Sequence, residues 1–143
     1  MKYWDFTSDN SWFSFTLPEN WSEYDADEGT YAFFNTQKWS GNLRISSFRW
    51  TGVEEGTDKA YDYIISELND KPGATLIQLA GYDTAHFQEA GSDQTIILFW
   101  ITGLNNALLL CSFSFDEELH GTDLQNKEVQ VVHEMLNTIQ IIG

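Results

Sequence analysis

The sequence predicts an α+β domain: a curved, mainly antiparallel β-sheet with two helices packed on it, in the order ββββ-α-ββββ-α. Three observations carry this. Short alternating or continuous apolar runs are separated by Gly-, Asn- and Asp-containing turns. Two other segments space their apolar residues at three and four, the helical period. The strands come in two runs of four instead of alternating singly with helices, which argues against a doubly wound parallel sheet. With 143 residues and 42% hydrophobic content, residues 1–143 form a single domain able to bury a core.

The elements follow in order. In "WFSFTL", residues 12–17, Phe13, Phe15 and Leu17 point one way and Trp12, Ser14 and Thr16 the other, and Pro18 ends the strand. Trp21–Asp25 and Thr30–Asn35 read as two strands across an acidic turn. Gly41-Asn42 then turns the chain into "NLRISSFRW". "TDKAYDYIISELNDKPG" places Tyr61, Ile64, Ile65 and Leu68 on one helical face, with Thr57 as N-cap and Pro72-Gly73 as the stop. "TLIQL", "YDTAHFQE", "TIILFWIT" and "ALLLCSFSF" are four strands joined by hairpin-type connections. The closing helix carries Leu124, Val131, Val132, Met135, Leu136 and Ile139 on one face, with Thr122 and Gln125 spaced as a capping box.

The strand "NLRISSFRW" holds both arginines of the chain. Strict alternation puts Leu43, Ile45, Ser47 and Arg49 on one face and Arg44, Ser46, Phe48 and Trp50 on the other, so neither face is uniformly apolar. A β-bulge at Ser46-Ser47 would align Leu43, Ile45, Phe48 and Trp50, and would bring Arg44 and Arg49 to one polar face. Two readings of that pair stand: cross-strand pairing with carboxylates such as Glu23, Asp25 and Glu89, or a cationic spot for an anionic group.

At this point the residues suggest a family. "FSFTLPENWSEY", an alternating strand running into Leu-Pro-x-x-Trp, resembles the opening of PsbP-like domains. "GNLRIS", the middle helix, the "ILFWI" and "LLLCSFSF" hairpin and the C-terminal helix follow in the same order. "WSGNLRISSFR" is also similar to small uncharacterised bacterial proteins of that fold. The resemblance implies a curved antiparallel sheet sandwiched by helices. It also implies action by protein binding, as in a photosystem extrinsic subunit, a factor acting on a Ran-type GTPase, and accessory proteins of secretion systems. Many such relatives are exported lipoproteins, but this chain has no lipobox cysteine near its N-terminus.

Charge narrows the partner. The 22 acidic and 7 basic residues give a formal net charge of −15, which repels nucleic acid and anionic membranes and favours a basic partner. One cysteine permits no internal disulfide. "MKYWDFTSDN" lacks the apolar core of a signal peptide and no apolar run reaches the ~20 residues of a membrane span. A soluble cytoplasmic protein is expected.

No catalytic motif stands out. His86, His120 and His133 have no metal-ligand spacing, and His86 is placed on a solvated strand face with Tyr82, Thr84 and Gln88. Cys111 shares a face with Leu109, Phe113 and Phe115, as a core thiol does. No G-x-S-x-G elbow and no phosphate loop occurs. The carboxylates Glu54-Glu55 and Asp116-Glu117-Glu118 read as solvated turns, and Asp25–Glu28 lacks EF-hand spacing. Trp12 and Trp39 fall outside the core pattern; either Trp12 lies under a helix and Trp39 shields a strand end, or the two serve a partner surface.

The expectation is a non-enzymatic protein-binding, accessory or immunity-type module with an acidic surface. The alternative is an anionic-ligand protein or enzyme using the arginine strand. Arg44, Arg49, Trp12 and Trp39 are the candidate contact residues; no metal or cofactor is expected, and no nucleic acid or membrane as partner.

Overall fold

The computed structural model describes residues 2–24 and 26–142. Among these, the elements are β1 (Tyr3–Thr7), β2 (Phe13–Pro18), β3 (Trp21–Tyr24), β4 (Thr30–Asn35), β5 (Gly41–Arg49), α1 (Lys59–Asp70), β6 (Thr75–Leu79), β7 (Tyr82–Ala90), β8 (Thr95–Leu104), β9 (Ala107–Asp116), α2 (Asp123–Leu136) and β10 (Gln140–Ile141). This is the α+β, mainly antiparallel architecture expected, with two helices packed on strands. The strands divide between two sheets: a seven-stranded sheet in the order β3-β4-β5-β9-β8-β7-β6, and a small one in the order β1-β2-β10.

β1 and β10 are the additions. β1 buries only Phe6 of its five residues, and β10 is two residues long, so neither has a periodic signal of its own. Both exist because β2 offers them an edge on either side.

Alternation in the large sheet creates two cores. Inward residues such as Leu43, Ile45, Trp100, Cys111 and Phe113 meet Phe6, Phe13, Phe15 and Leu17 of the small sheet and Val132, Met135 and Leu136 of α2. On the outer face, Ala85, Phe87, Ile101 and Leu108 meet Ala60 and Ile64 of α1. Edge-to-face ring pairs knit the inner core: Phe6 lies 5.0 Å from Phe33, and Phe15 lies 5.1 Å from Phe33.

The helix ends are set by their caps. Asp58, not Thr57, caps α1, accepting from Tyr61 N at 3.0 Å. Thr122 caps α2, accepting from Gln125 N at 3.2 Å, while Gln125 Oε1 accepts from Gly121 N. That last contact completes a capping box shifted by one residue.

Two expectations about β5 fail. Gly41-Asn42 is not a turn: both residues lie in the strand, and a Cβ on Gly41 would stand 2.6 Å from the Phe113 ring. The glycine permits close strand approach. No bulge occurs at Ser46-Ser47 either. Gly41 to Arg49 pair without a break with Phe115 to Ala107.

Gly103 does the same for the outer core. A Cβ there would run into the Ala107 carbonyl and stand 2.7 Å from Ala60 Cβ, so α1 sits flush on β8 only because Gly103 has no side chain. Gly103→Ala is expected to cost about 1–3 kcal/mol, the usual penalty of overpacking. Urea unfolding measures it; an unchanged midpoint would show that α1 tolerates displacement.

Candidate functional site

The unbroken register separates the two arginines. Arg44 points to the outer face, exposed, between Ala32 and Ser112 in the neighbouring strands. Among the described residues it has no hydrogen bond or ion pair. Arg49 points inward at the strand end. Its Nη2 donates to the Ile142 carbonyl, and its guanidinium lies 5.0 Å from the centre of the Trp12 ring. Arg49 thus ties β5 to the β1–β2 turn and the C-terminal segment, and Trp12 lies beneath it instead of under a helix. Of the carboxylates expected to pair with the arginines, Glu89 pairs instead with Lys71 at 2.9 Å, and Asp25 lies outside the described residues. Trp39 stands apart, 66% exposed, its Nε1 donating to Asn42 Oδ1 at 3.2 Å.

Sequence reading missed what surrounds Trp12. Where β4 begins at Thr30, opposite Ser46, β5 runs on for three more residues. The β1–β2 turn and the acidic β3–β4 turn close over that gap, leaving a depression of about 630 Å³. Asp9, Glu23, Asp27 and Glu28 supply four carboxylates to it, and Trp12, Tyr24 and Tyr31 supply aromatic walls.

Local bonds hold both turns. The Ser8 hydroxyl, in a residue only 3% exposed, accepts from Trp12 N at 2.9 Å and donates to Asn10 Oδ1 at 2.7 Å. Asp9 N donates to the Tyr31 hydroxyl at 3.3 Å. Thr30 N donates to Asp27 O at 2.9 Å, and the Thr30 and Ser46 hydroxyls meet at 2.8 Å. Asp9, Asp27 and Glu28 are exposed, and none has an ion-pair partner among the described residues. Four acidic residues scattered over two turns and the strand β3 gave no motif; only the topology brings them together.

A second cleft, about 460 Å³, lies between α2 and the β2–β3 region, lined by Trp21, Val131, Met135, Asn20, Asn35 and others. Asn35, a residue of this lining, donates from Nδ2 to Glu128 Oε2 at 3.3 Å. Glu128 is 4% exposed on the sheet-facing side of α2, a position the helical pattern assigned to no face. Burial pushes its carboxyl above the usual range, with Asn35 and Ser40 partly offsetting this. Ser40 lies near enough to favour the charged form, yet neither Ser40 Oγ nor Glu128 Oε1 makes a hydrogen bond of good geometry.

The remaining candidates take structural places. Cys111 is fully buried, and desolvation pushes its thiol up to about 12, out of the nucleophilic range. His86 is not on a solvated face. It stacks on Trp100 at 4.8 Å and its Nδ1 lies 2.8 Å from Phe99 O, while its neighbour Thr84 is wholly buried. β7 turns that face toward the inner core. Among the described residues no three His, Cys, Asp or Glu side chains are placed to hold a metal, and no helix is long and apolar enough to cross a membrane.

Comparison with known proteins is consistent with this picture. Residues 1–141 match the model of a family described as "Domain of unknown function (DUF3805)". The chain belongs to the DUF3805 family. A crystal structure of a protein from Bacteroides thetaiotaomicron VPI-5482 is similar to this DUF3805 domain at 28% identity and a TM-score of 0.79, over 97% of this chain and 48% of that one. The chain therefore spans about half the length of that relative. The solution structure of cyanobacterial PsbP (CyanoP) from Synechocystis sp. PCC 6803 aligns at a TM-score of 0.58 and 14% identity, over 98% of this chain and 92% of that one. The second likeness shows the fold, which is PsbP-like as the sequence suggested. Among curated proteins no match is found.

Two predictions follow from these positions. Arg49→Ala should lose about 1.5–3 kcal/mol of stability, the range for hydrogen bonds involving a charged group, whereas exposed Arg44→Ala should stay within about 0.5 kcal/mol. Equal losses in chemical denaturation would contradict the assigned roles. For Glu128, the folded state holds the proton more tightly than the unfolded chain. Its contribution is therefore fully favourable below the ordinary glutamate pKa of about 4.3 and is lost as pH rises from there through the raised folded value. Glu128→Gln should remove that decline and gain about 1–3 kcal/mol at neutral pH, the cost of an unsatisfied buried group. Stability measured against pH for both proteins checks it, and parallel curves would refute it.

Proposed function

We propose that this domain is a non-enzymatic protein-binding module, of accessory, adaptor or immunity type, whose acidic depression receives a basic segment of a partner protein. The observation that carries the reading is the gathering of four carboxylates and three aromatic rings around one concavity at the end of β5. Asp9, Asp27 and Glu28, exposed and without ion-pair partners among the described residues, meet an incoming lysine or arginine at little desolvation cost, and the rings offer faces for cation–π contact. The net charge of −15 extends the field beyond the depression and favours fast, salt-sensitive association. Cys111, buried in the core, and His86, stacked on Trp100, support binding over catalysis. A lone buried thiol suits a reducing compartment such as the cytoplasm.

The alternative, an anionic-ligand site on the arginine strand, keeps only Arg44. Arg49 faces the other way and is engaged by Ile142 and Trp12.

A lysine-rich synthetic peptide serves as the probe, followed by fluorescence anisotropy at low and high salt. Asp27→Asn with Glu28→Gln should weaken binding roughly fivefold or more at low salt. Removing the same charge from an exposed loop elsewhere, by Glu54→Gln with Glu55→Gln, should weaken it less than about twofold. Equal effects of the two pairs would mean that overall charge, and not the depression, attracts the peptide.

A further inference from the structure

The acidic depression has a neighbour. Across Phe48 lies a mostly apolar groove of about 290 Å³ whose walls include Arg49, Trp50 and Tyr63, with Leu108 and Leu110 on the sheet. Trp50 and Tyr63 rings stand 6.4 Å apart. Phe48 lines both cavities. It is 48% exposed, although β5 is a strand with neighbours on both sides for most of its length.

From these observations we propose that the two cavities form one recognition surface. Its occupant is a partner segment carrying a lysine or arginine next to an apolar residue, the cation seated in the depression and the apolar side chain in the groove. This deepens the binding reading above and rests on it.

Three features support this occupant. The first is charge complementarity: Asp9, Asp27 and Glu28 are exposed and have no ion-pair partner among the described residues. The second is Ser47, which lines the depression, is 7% exposed, and has a hydroxyl with no hydrogen-bond partner among the described residues. A buried oxygen of that kind is costly unless a donor reaches it, and an ammonium or guanidinium brings donors and no acceptor. The third is strand geometry. Ser47 and Phe48 are consecutive, so they point to opposite faces of the sheet. The strand end therefore presents a polar acceptor on one side and an apolar ring on the other, separated by the thickness of the strand. One phenylalanine separates the cavities, so the cation and the apolar group must be close neighbours in the partner's chain.

The test uses two labelled synthetic peptides of equal length and charge. One contains only Lys, Gly and Ser; in the other the residue beside the central Lys is Leu. The leucine peptide should bind about tenfold more tightly, the effect of burying one apolar side chain. Phe48→Ala should abolish that advantage, and so should Tyr63→Ala, which reaches the groove from α1 should the first variant fold poorly. Asp27→Asn with Glu28→Gln should weaken both peptides alike. Equal affinity of the two peptides, or an advantage that survives both aromatic variants, overturns the two-cavity surface while leaving salt-sensitive cation binding intact. Absence of binding by either peptide overturns the basic-partner reading as well.

Discussion

The ladder between β5 and β9 is the constraint on which the rest of the structure depends. Nine consecutive pairs, from Gly41 with Phe115 to Arg49 with Ala107, run without a bulge. A side-chain period of two then assigns every residue of β5 to a face. Leu43 and Ile45 go to the inner core, Arg44 to the open outer face, and Ser47 and Phe48 to opposite sides of the strand end. A single inserted residue at Ser46-Ser47 would reverse the assignments that follow it, moving Arg49 to the face of Arg44 and burying Phe48 with Leu43 and Ile45. Hydrogen bonding along the whole strand and the close fit of Gly41 against Phe113 hold the register against that alternative.

Much of the fold was legible because burial writes itself into the sequence. β8 reads as continuous apolar residues because α1 covers its outer face while the inner core covers the other: Ile96, Leu98 and Trp100 lie inward, and Ile101 packs under α1. β9 changes pattern along its length for the same reason. "ALLL" lies near α1, and "CSFSF" continues where the outer face is open, so serines 112 and 114 alternate with buried aromatic residues. The mixed pattern of β5 was harder to read. An exposed Phe48 and an inward Arg49 both violate the rule that apolar residues point to the core, and a bulge restores the rule on paper. The rule failed because the strand outruns its neighbour. Past Ser46, β5 has passed the end of β4 and meets the β3–β4 turn, whose Gly29 carbonyl accepts from Ser47 N at 3.1 Å, so burial no longer dictates residue type.

The candidate site was illegible for a related reason. Three of its four carboxylates come from two turns, and turns carry polar residues whatever their function. Trp12 was recognisable as lying outside the core pattern, but its partner Arg49 was assigned to the same face as Arg44, and the depression beside it depends on the short β4. Glu128 was hidden differently. Its helix places Val132 and Met135 against the core, and Glu128 falls on the same side, where an apolar residue is the general expectation.

Glu128 and the carboxylates of the depression show how one functional group takes opposite parts in one domain. Inside, a carboxyl faces Asn35 and Ser40 and is driven toward its neutral form by loss of water. Outside, Asp27 and Glu28 stand in solvent and face whatever approaches. The internal group acts on the packing of α2 on β4, where its buried carboxyl meets Asn35. The external ones can influence only what approaches, since exposed charges contribute little to stability. An excess of 15 negative charges is thus tolerable for the fold, because nearly all of it stands in solvent where salt screens mutual repulsion. Concentrating part of that excess over Ser47 and beside Phe48 turns a general solubility feature into a directional one.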